Sequence, residues 1–156
     1  MEVYLVQHGE AKPEAIDPAR PLTDHGREEV ERVARRAAAL RLQVAEIRHS
    51  DKLRARQTAE ILAAQLSPSA GVREMDGLAP TDDPEKARIQ LEVAREPLML
   101  VGHLPHLSRL ASLLLVGDPG REITLFRNGA IVCLVKTERG WLLKWILTPE
   151  LVGMNS

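Results

Sequence analysis

Val3-Tyr4-Leu5-Val6-Gln7-His8-Gly9-Glu10-Ala11 is the stretch on which the reading of this chain turns. Its apolar run, Val3 to Val6, is short and uninterrupted, as in a buried strand and unlike an amphipathic helix. Gly9 breaks the run and lets the backbone turn sharply. His8 is therefore expected at the C-terminal tip of a strand, where open α/β sheets bind ligands. A histidine held there serves as nucleophile, general base or metal ligand, or simply ends the strand.

Working outward, the chain alternates between two periodicities. Residues 10 to 22 are polar and hold Pro13, Pro18 and Pro21, a loop suited to carrying binding groups. Thr23 or Asp24 caps a helix whose apolar positions are Val30, Val33, Ala34, Ala37 and Leu40, ending near Leu42. Val44 to Ser50 reads as a second strand and Asp51 to Leu66 as a second helix. Val72 to Met75 is a short strand. Asp83-Pro84 caps and opens a third helix through Ala87, Leu91 and Ala94. Pro97 to Val101 is a buried strand running into Gly102-His103, and Pro105 opens a fourth helix with Leu107, Leu110, Ala111 and Leu114 on one face. Ala130 to Lys136 and Trp141 to Leu147 form a hairpin around Glu138-Arg139-Gly140, and the tail after Pro149 is expected to be loosely held.

Strand–helix alternation of this kind implies a three-layer α/β/α sandwich. Its sheet is mostly parallel, with an antiparallel edge strand from the hairpin. A single domain over residues 1–156 is expected, long enough for a real core. Hydrophobic content of 44% and charged content of 28% are globular values, and a net charge of −1 gives no electrostatic case for nucleic acid or an anionic membrane. No long apolar span or signal peptide is evident, so a cytoplasmic protein, monomeric by default, is expected. The lone cysteine, Cys133, lies in an apolar run and reads as a buried small hydrophobe.

The topology makes a chemical prediction. The carboxyl ends of three strands should cluster, bringing together Gln7-His8-Gly9, His49-Ser50 and Gly102-His103, with Lys52 and Arg54 near a helix start. Two histidines, an arginine and a helix N-terminus suit a phosphate better than a metal. Nothing matches a zinc pattern or a glycine-rich nucleotide loop, so neither metal nor cofactor is expected.

These residues resemble a known family. Leu5-Val6-Gln7-His8-Gly9-Glu10 is similar to the Arg-His-Gly motif of the histidine phosphatase (phosphoglycerate-mutase-like) superfamily. Arg20-Pro21-Leu22-Thr23 with Gly26 resembles its first-helix start. Ser50-Asp51-Lys52-Leu53-Arg54-Ala55-Arg56-Gln57-Thr58-Ala59 resembles its Ser-Pro-x-x-Arg-Ala-x-Gln-Thr-Ala segment, and Val101-Gly102-His103-Leu104-Pro105 its second histidine motif. The short connection from Met75 to Pro84 is like that of the small SixA-type phosphohistidine phosphatases.

The resemblance implies a metal-independent phosphatase with His8 as nucleophile and Arg54 and His103 as holders of the phosphoryl oxygens. Gln7 and Arg20 join the phosphate-binding set. The implied partner is a phosphohistidine-bearing protein or a small phosphate ester. Arg20 reads equally well as a solvated loop charge. Ser50 is expected to serve only as a helix cap, Arg56 to lie on the surface, and His25, His49 and His106 to be structural or exposed.

Two departures stand out. Gln7 replaces the motif arginine, losing a charge and a bidentate clamp. The general acid has no distinctive motif: Glu74, Asp76, Asp82 and Asp83 are candidates. An alkoxide leaving group needs a proton more than an imidazole does, so a site poor in acid fits phosphohistidine. The alternatives are a non-catalytic phosphate-binding or adaptor protein, and, third, a phosphoglycerate-type mutase, which requires an acid and a lid that this chain does not display.

Overall fold

The computed structural model describes residues 1–153. The strands β1 (Glu2–Gln7), β2 (Glu46–His49), β3 (Val72–Glu74), β4 (Leu98–Gly102), β5 (Ile131–Thr137) and β6 (Gly140–Leu147) form one sheet in the order β3-β2-β4-β1-β5-β6. The first four strands of that order pair in parallel. β5 runs against β1 and turns back into β6, so the hairpin makes one edge. The helices are α1 (Asp24–Ala39), α2 (Leu53–Leu66), α3 (Pro84–Val93), α4 (His106–Val116) and α5 (Pro149–Val152).

Both faces of the sheet are covered, which is why β1 and β4 are apolar at consecutive positions. Tyr4, Val6, Met99 and Val101 face α1 and α2 in a core with Val30, Val33, Ala37, Ala59 and Leu62. Val3, Leu5, Leu98 and Leu100 face the opposite way, against Leu91 of α3 and Leu107, Leu110 and Leu114 of α4. Cys133 lies inside this packing, where burial pushes its thiol up to about 12, so it is a packing residue.

The caps agree with the sequence at α1 and α3. Thr23 Oγ1 accepts from Gly26 N at 2.9 Å, and Asp83 Oδ1 accepts from Glu85 N at 3.0 Å. Three expectations shift. α1 stops at Ala39, three residues early, because Leu40 caps it and Arg41 turns left-handed at φ 57°. α2 starts at Leu53 behind Lys52, so Ser50 is not its cap. The stretch after Pro149 is no loose tail at first: Pro149 opens α5, Val152 is buried among α1 residues, and Glu150 pairs with Arg127. The rest of that tail, 154–156, lies outside the described residues. Among the described residues, no helix is long and apolar enough to cross a membrane.

Two glycines set the distance between the tip of β1 and α1. A Cβ on Gly26 would stand 2.2 Å from Glu10 O, and one on Gly9 would stand 2.7 Å from Val30 Cγ2. The backbone of the loop after β1 therefore lies directly on the first turn of α1. Gly26→Ala should lower unfolding free energy by about 1–3 kcal/mol, because the obstacle is backbone and cannot swing aside. Urea denaturation measures this, and an unchanged midpoint would contradict the close approach.

Candidate active site

The parallel register builds the site. Gln7 is level with Gly102 across β1 and β4, and His49 is level with Val101 across β2 and β4. The ladder continues one step past the strand ends: His8 N donates to Gly102 O at 3.1 Å and Ser50 N to Val101 O at 3.3 Å. His8 and His103, each one residue beyond its strand, thus come together, with ring centroids 4.9 Å apart at 56°. Strand alternation explains the shared direction, since Val6 and Val101, two residues earlier, both face α2.

His8 is held in one orientation. Its Nδ1 lies 2.7 Å from Gly9 O, and a carbonyl only accepts, so Nδ1 carries the proton and Nε2 keeps its lone pair. Its carbonyl accepts from Asn128 Nδ2 at 2.9 Å, and Gly129 N donates to Gln7 O at 2.9 Å. Thr58 Oγ1 accepts from Gly9 N at 3.0 Å and donates to Arg54 O at 2.8 Å. Gln57 Oε1 accepts from Leu22 N at 2.8 Å. The segment carrying Arg54 is thereby tied to both the His8-Gly9 loop and the loop holding Arg20.

Burial and positive neighbours keep the imidazoles neutral. Desolvation lowers His8 to about 4, with Arg54 and Arg20 adding to the shift and the Gly9 carbonyl opposing it. Desolvation lowers His103 to about 3, helped by His8, Arg54, Lys52 and His106. The leading charge effects on this pair all come from cationic groups. Arg54 is itself lowered, first by burial and then by Arg20, and its buried Nε has no partner in the protein. Arg20 reaches the site from the loop after β1. Its backbone is left-handed at φ 49° and its Nε donates to Lys12 O at 3.1 Å. A non-glycine residue in that region is costly and concentrates at functional sites. Gln7 is buried, with Oε1 unpartnered.

Glu74 and Asp76 are exposed. Asp82 Oδ2 accepts from Ala79 N, and Asp83 caps α3. Asp76 and Asp82 line a cleft of about 190 Å³ with Asp51. His25 is exposed beside Glu29, Arg56 pairs with Glu60 on the surface, and His49 and His106 are buried. Sequence reading missed Asn128, Thr58, Gln57 and the role of Ser50, whose Oγ lies 2.6 Å from His103 Nε2. The Asn128-Gly129 turn before β5 was the one available signal for the first. Among the described residues, no three histidine, cysteine or acidic side chains are grouped to hold a metal.

Residues 3–82 match the histidine phosphatase superfamily, branch 1. The chain belongs to that family. An uncharacterized protein of Picosynechococcus is 39% identical over 139 residues, covering 84% of this chain and 83% of that protein. The phosphohistidine phosphatase SixA of Escherichia coli is 26% identical over 155 residues, covering 96% and 94%. The structure of the protein histidine phosphatase SixA complexed with tungstate superposes with a TM-score of 0.85 at 25% identity, covering 98% of this chain and 100% of that one. A phosphoserine phosphatase mutant from Entamoeba histolytica shares the fold, with a TM-score of 0.71 at 15% identity over 96% and 98% of the chains.

A lowered His8 has a measurable consequence. An unfolded histidine titrates near 6.5, so the unfolded chain binds more protons between about pH 6.5 and 4. Stability is therefore full above pH 6.5 and falls as pH drops through that window. The His8 ring resonances should hold constant from pH 8 to 5.5 and titrate near pH 4. A midpoint at 6.5 or above would contradict the buried, cation-flanked environment.

Proposed function

We propose that this protein is a metal-independent phosphatase that transfers a phosphoryl group to His8 and then to water, with phosphohistidine in a protein as its substrate. The observation that carries the reading is the fixed His8 imidazole, neutral, with Nδ1 tied to Gly9 O and Nε2 free beside His103. Family membership and the likeness to SixA support phosphatase activity; the phosphohistidine substrate is the finer inference.

In the first step the His8 Nε2 lone pair forms a bond to phosphorus as the bond to the leaving nitrogen breaks. The leaving imidazole nitrogen takes up a proton from solvent, which the water consumed in the second step returns. In the second step water attacks the phosphohistidine, His8 leaves as a neutral ring, and inorganic phosphate departs. Arg54, Arg20 and His103 hold the phosphoryl oxygens and offset charge as it develops, which is the larger part of such catalysis. Arg20 stands in for the charge that Gln7 lacks: its guanidinium acts on both His8 and Arg54.

The choice of phosphohistidine over a phosphate ester rests on the leaving group. Among the described residues, no candidate carboxylate is hydrogen-bonded to His8 or His103, and two of the four are engaged locally, Asp82 with Ala79 N and Asp83 at the α3 cap. An imidazole leaves near neutral pH without a dedicated acid, whereas an alkoxide does not. The second reading, a phosphate-binding protein that transfers nothing, is favoured by Gln7 alone.

The test is phosphate release from a phosphohistidine-bearing protein in the presence of a chelator. His8→Ala should reduce release more than about 1000-fold. Gln7→Arg should raise it by about 10- to 100-fold, since a charge-assisted clamp is restored. Release from an alkyl phosphate should be slower than from phosphohistidine. No release by the native protein, with activity gained in Gln7→Arg, would establish the binding reading instead.

A further inference from the structure

We propose that Ser50 is a positioning residue that sets the tautomer of His103. Its hydroxyl donates to Nε2, the imidazole proton sits on Nδ1, and from there it is donated to an oxygen of the bound phosphoryl group. The inference rests on the phosphate-site reading above and specifies how one of its groups is made a donor.

His103 is almost wholly enclosed and neutral, so its ring has one N–H and one lone pair. Ser50 is equally enclosed, with Oγ 2.6 Å from His103 Nε2. Oγ also accepts from Lys52 N at 3.2 Å. If Nε2 carried the ring proton, Ser50 would accept twice, and its own hydroxyl proton would be buried without an acceptor. His103 Nδ1 would then present a lone pair to phosphoryl oxygens, acceptor against acceptor. The opposite arrangement leaves nothing orphaned at Ser50. It places the N–H on Nδ1, a buried atom with no hydrogen-bond partner among the described residues. That unpartnered Nδ1 belongs to the ring packed 4.9 Å from His8, at the place where the transferred group must sit.

An unconstrained imidazole in water favours the proton on Nε2, so this tautomer has to be imposed. The fold imposes it through register. Ser50 follows β2 as His103 follows β4, and the two strands are neighbours. Arg54 follows in the first turn of α2, so an anion-binding cation and the orientation of a neutral donor both come from the stretch that leaves β2 and enters α2. A helix cap would not require Ser50, because Lys52 occupies the cap position.

Nitrogen NMR of histidine-labelled protein at neutral pH, with His103 assigned through His103→Gln, reads the tautomer without reference to activity. The native protein should show His103 protonated at Nδ1 and unprotonated at Nε2. Ser50→Ala should shift His103 toward the Nε2–H form, weaken inorganic phosphate binding by about 10-fold, and lower phosphate release by about 10- to 100-fold. Ser50→Thr keeps the hydroxyl and should restore the native tautomer. Ser50→Cys keeps the volume with a weaker donor and should fall between. An Nε2–H tautomer in the native protein overturns the proposal. So does a Ser50→Ala protein with unchanged tautomer, or one with a shifted tautomer and undiminished phosphate affinity. If the tautomer and affinity respond as expected while the native protein hydrolyses no substrate, the phosphatase reading fails and the role of Ser50 in holding phosphate stands.

Discussion

Everything at the crevice follows from the register of β1 against β4. Parallel pairing sets Gln7 level with Gly102, and one more step brings two imidazoles into contact. A slip of one residue would turn His8 to the opposite face of the sheet, away from α2 and Arg54. The register is secured by two cores, since Val3 and Leu5 are enclosed on one side and Tyr4 and Val6 on the other. Hydrophobic packing, which makes no chemical distinction between ligands, thus fixes the spacing of the groups that do.

The electrostatics follow from the same burial. Enclosing two imidazoles among arginines makes their protonation unfavourable. The positive charge of the crevice therefore resides on guanidinium groups, and the rings stay neutral, as the proposed roles of nucleophile and donor require. A fully protonated ring would gain attraction for phosphate and lose the lone pair that attacks it. Gln7 fits this balance in one respect: it removes a cation from beside a histidine that has to stay neutral. In the proposed function, Arg20, whose charge acts on both His8 and Arg54, partly replaces the cation that Gln7 lacks.

Much of this was legible in the chain because the signals are local. The apolar runs before His8 and His103, the cap at Thr23 and the Asp83-Pro84 pair each announce themselves within a few residues. Arg54 stood out by its place just after a strand. The supporting bonds were not legible, because their partners are far apart in sequence. Gly9 and Thr58 are 49 residues apart, Ser50 and His103 53, and His8 and Asn128 120. Each needs the sheet order before it can be seen. Helix α5 was hidden for another reason: four residues are too few to display a helical period, and its stability comes from Val152 and the Glu150–Arg127 pair.

The direct contact between the loop after β1 and the first turn of α1 has a consequence for how a substrate is received. Gly9 and Gly26 leave no gap into which either backbone can relax, and Thr58 fastens the same loop to α2. The conformational entropy of arranging His8 beside α2 and Arg54 is therefore surrendered when the chain folds, before any ligand arrives. A phosphorylated substrate of the proposed kind would meet a preorganised recess, and its binding energy would go into the phosphoryl contacts rather than into ordering the protein.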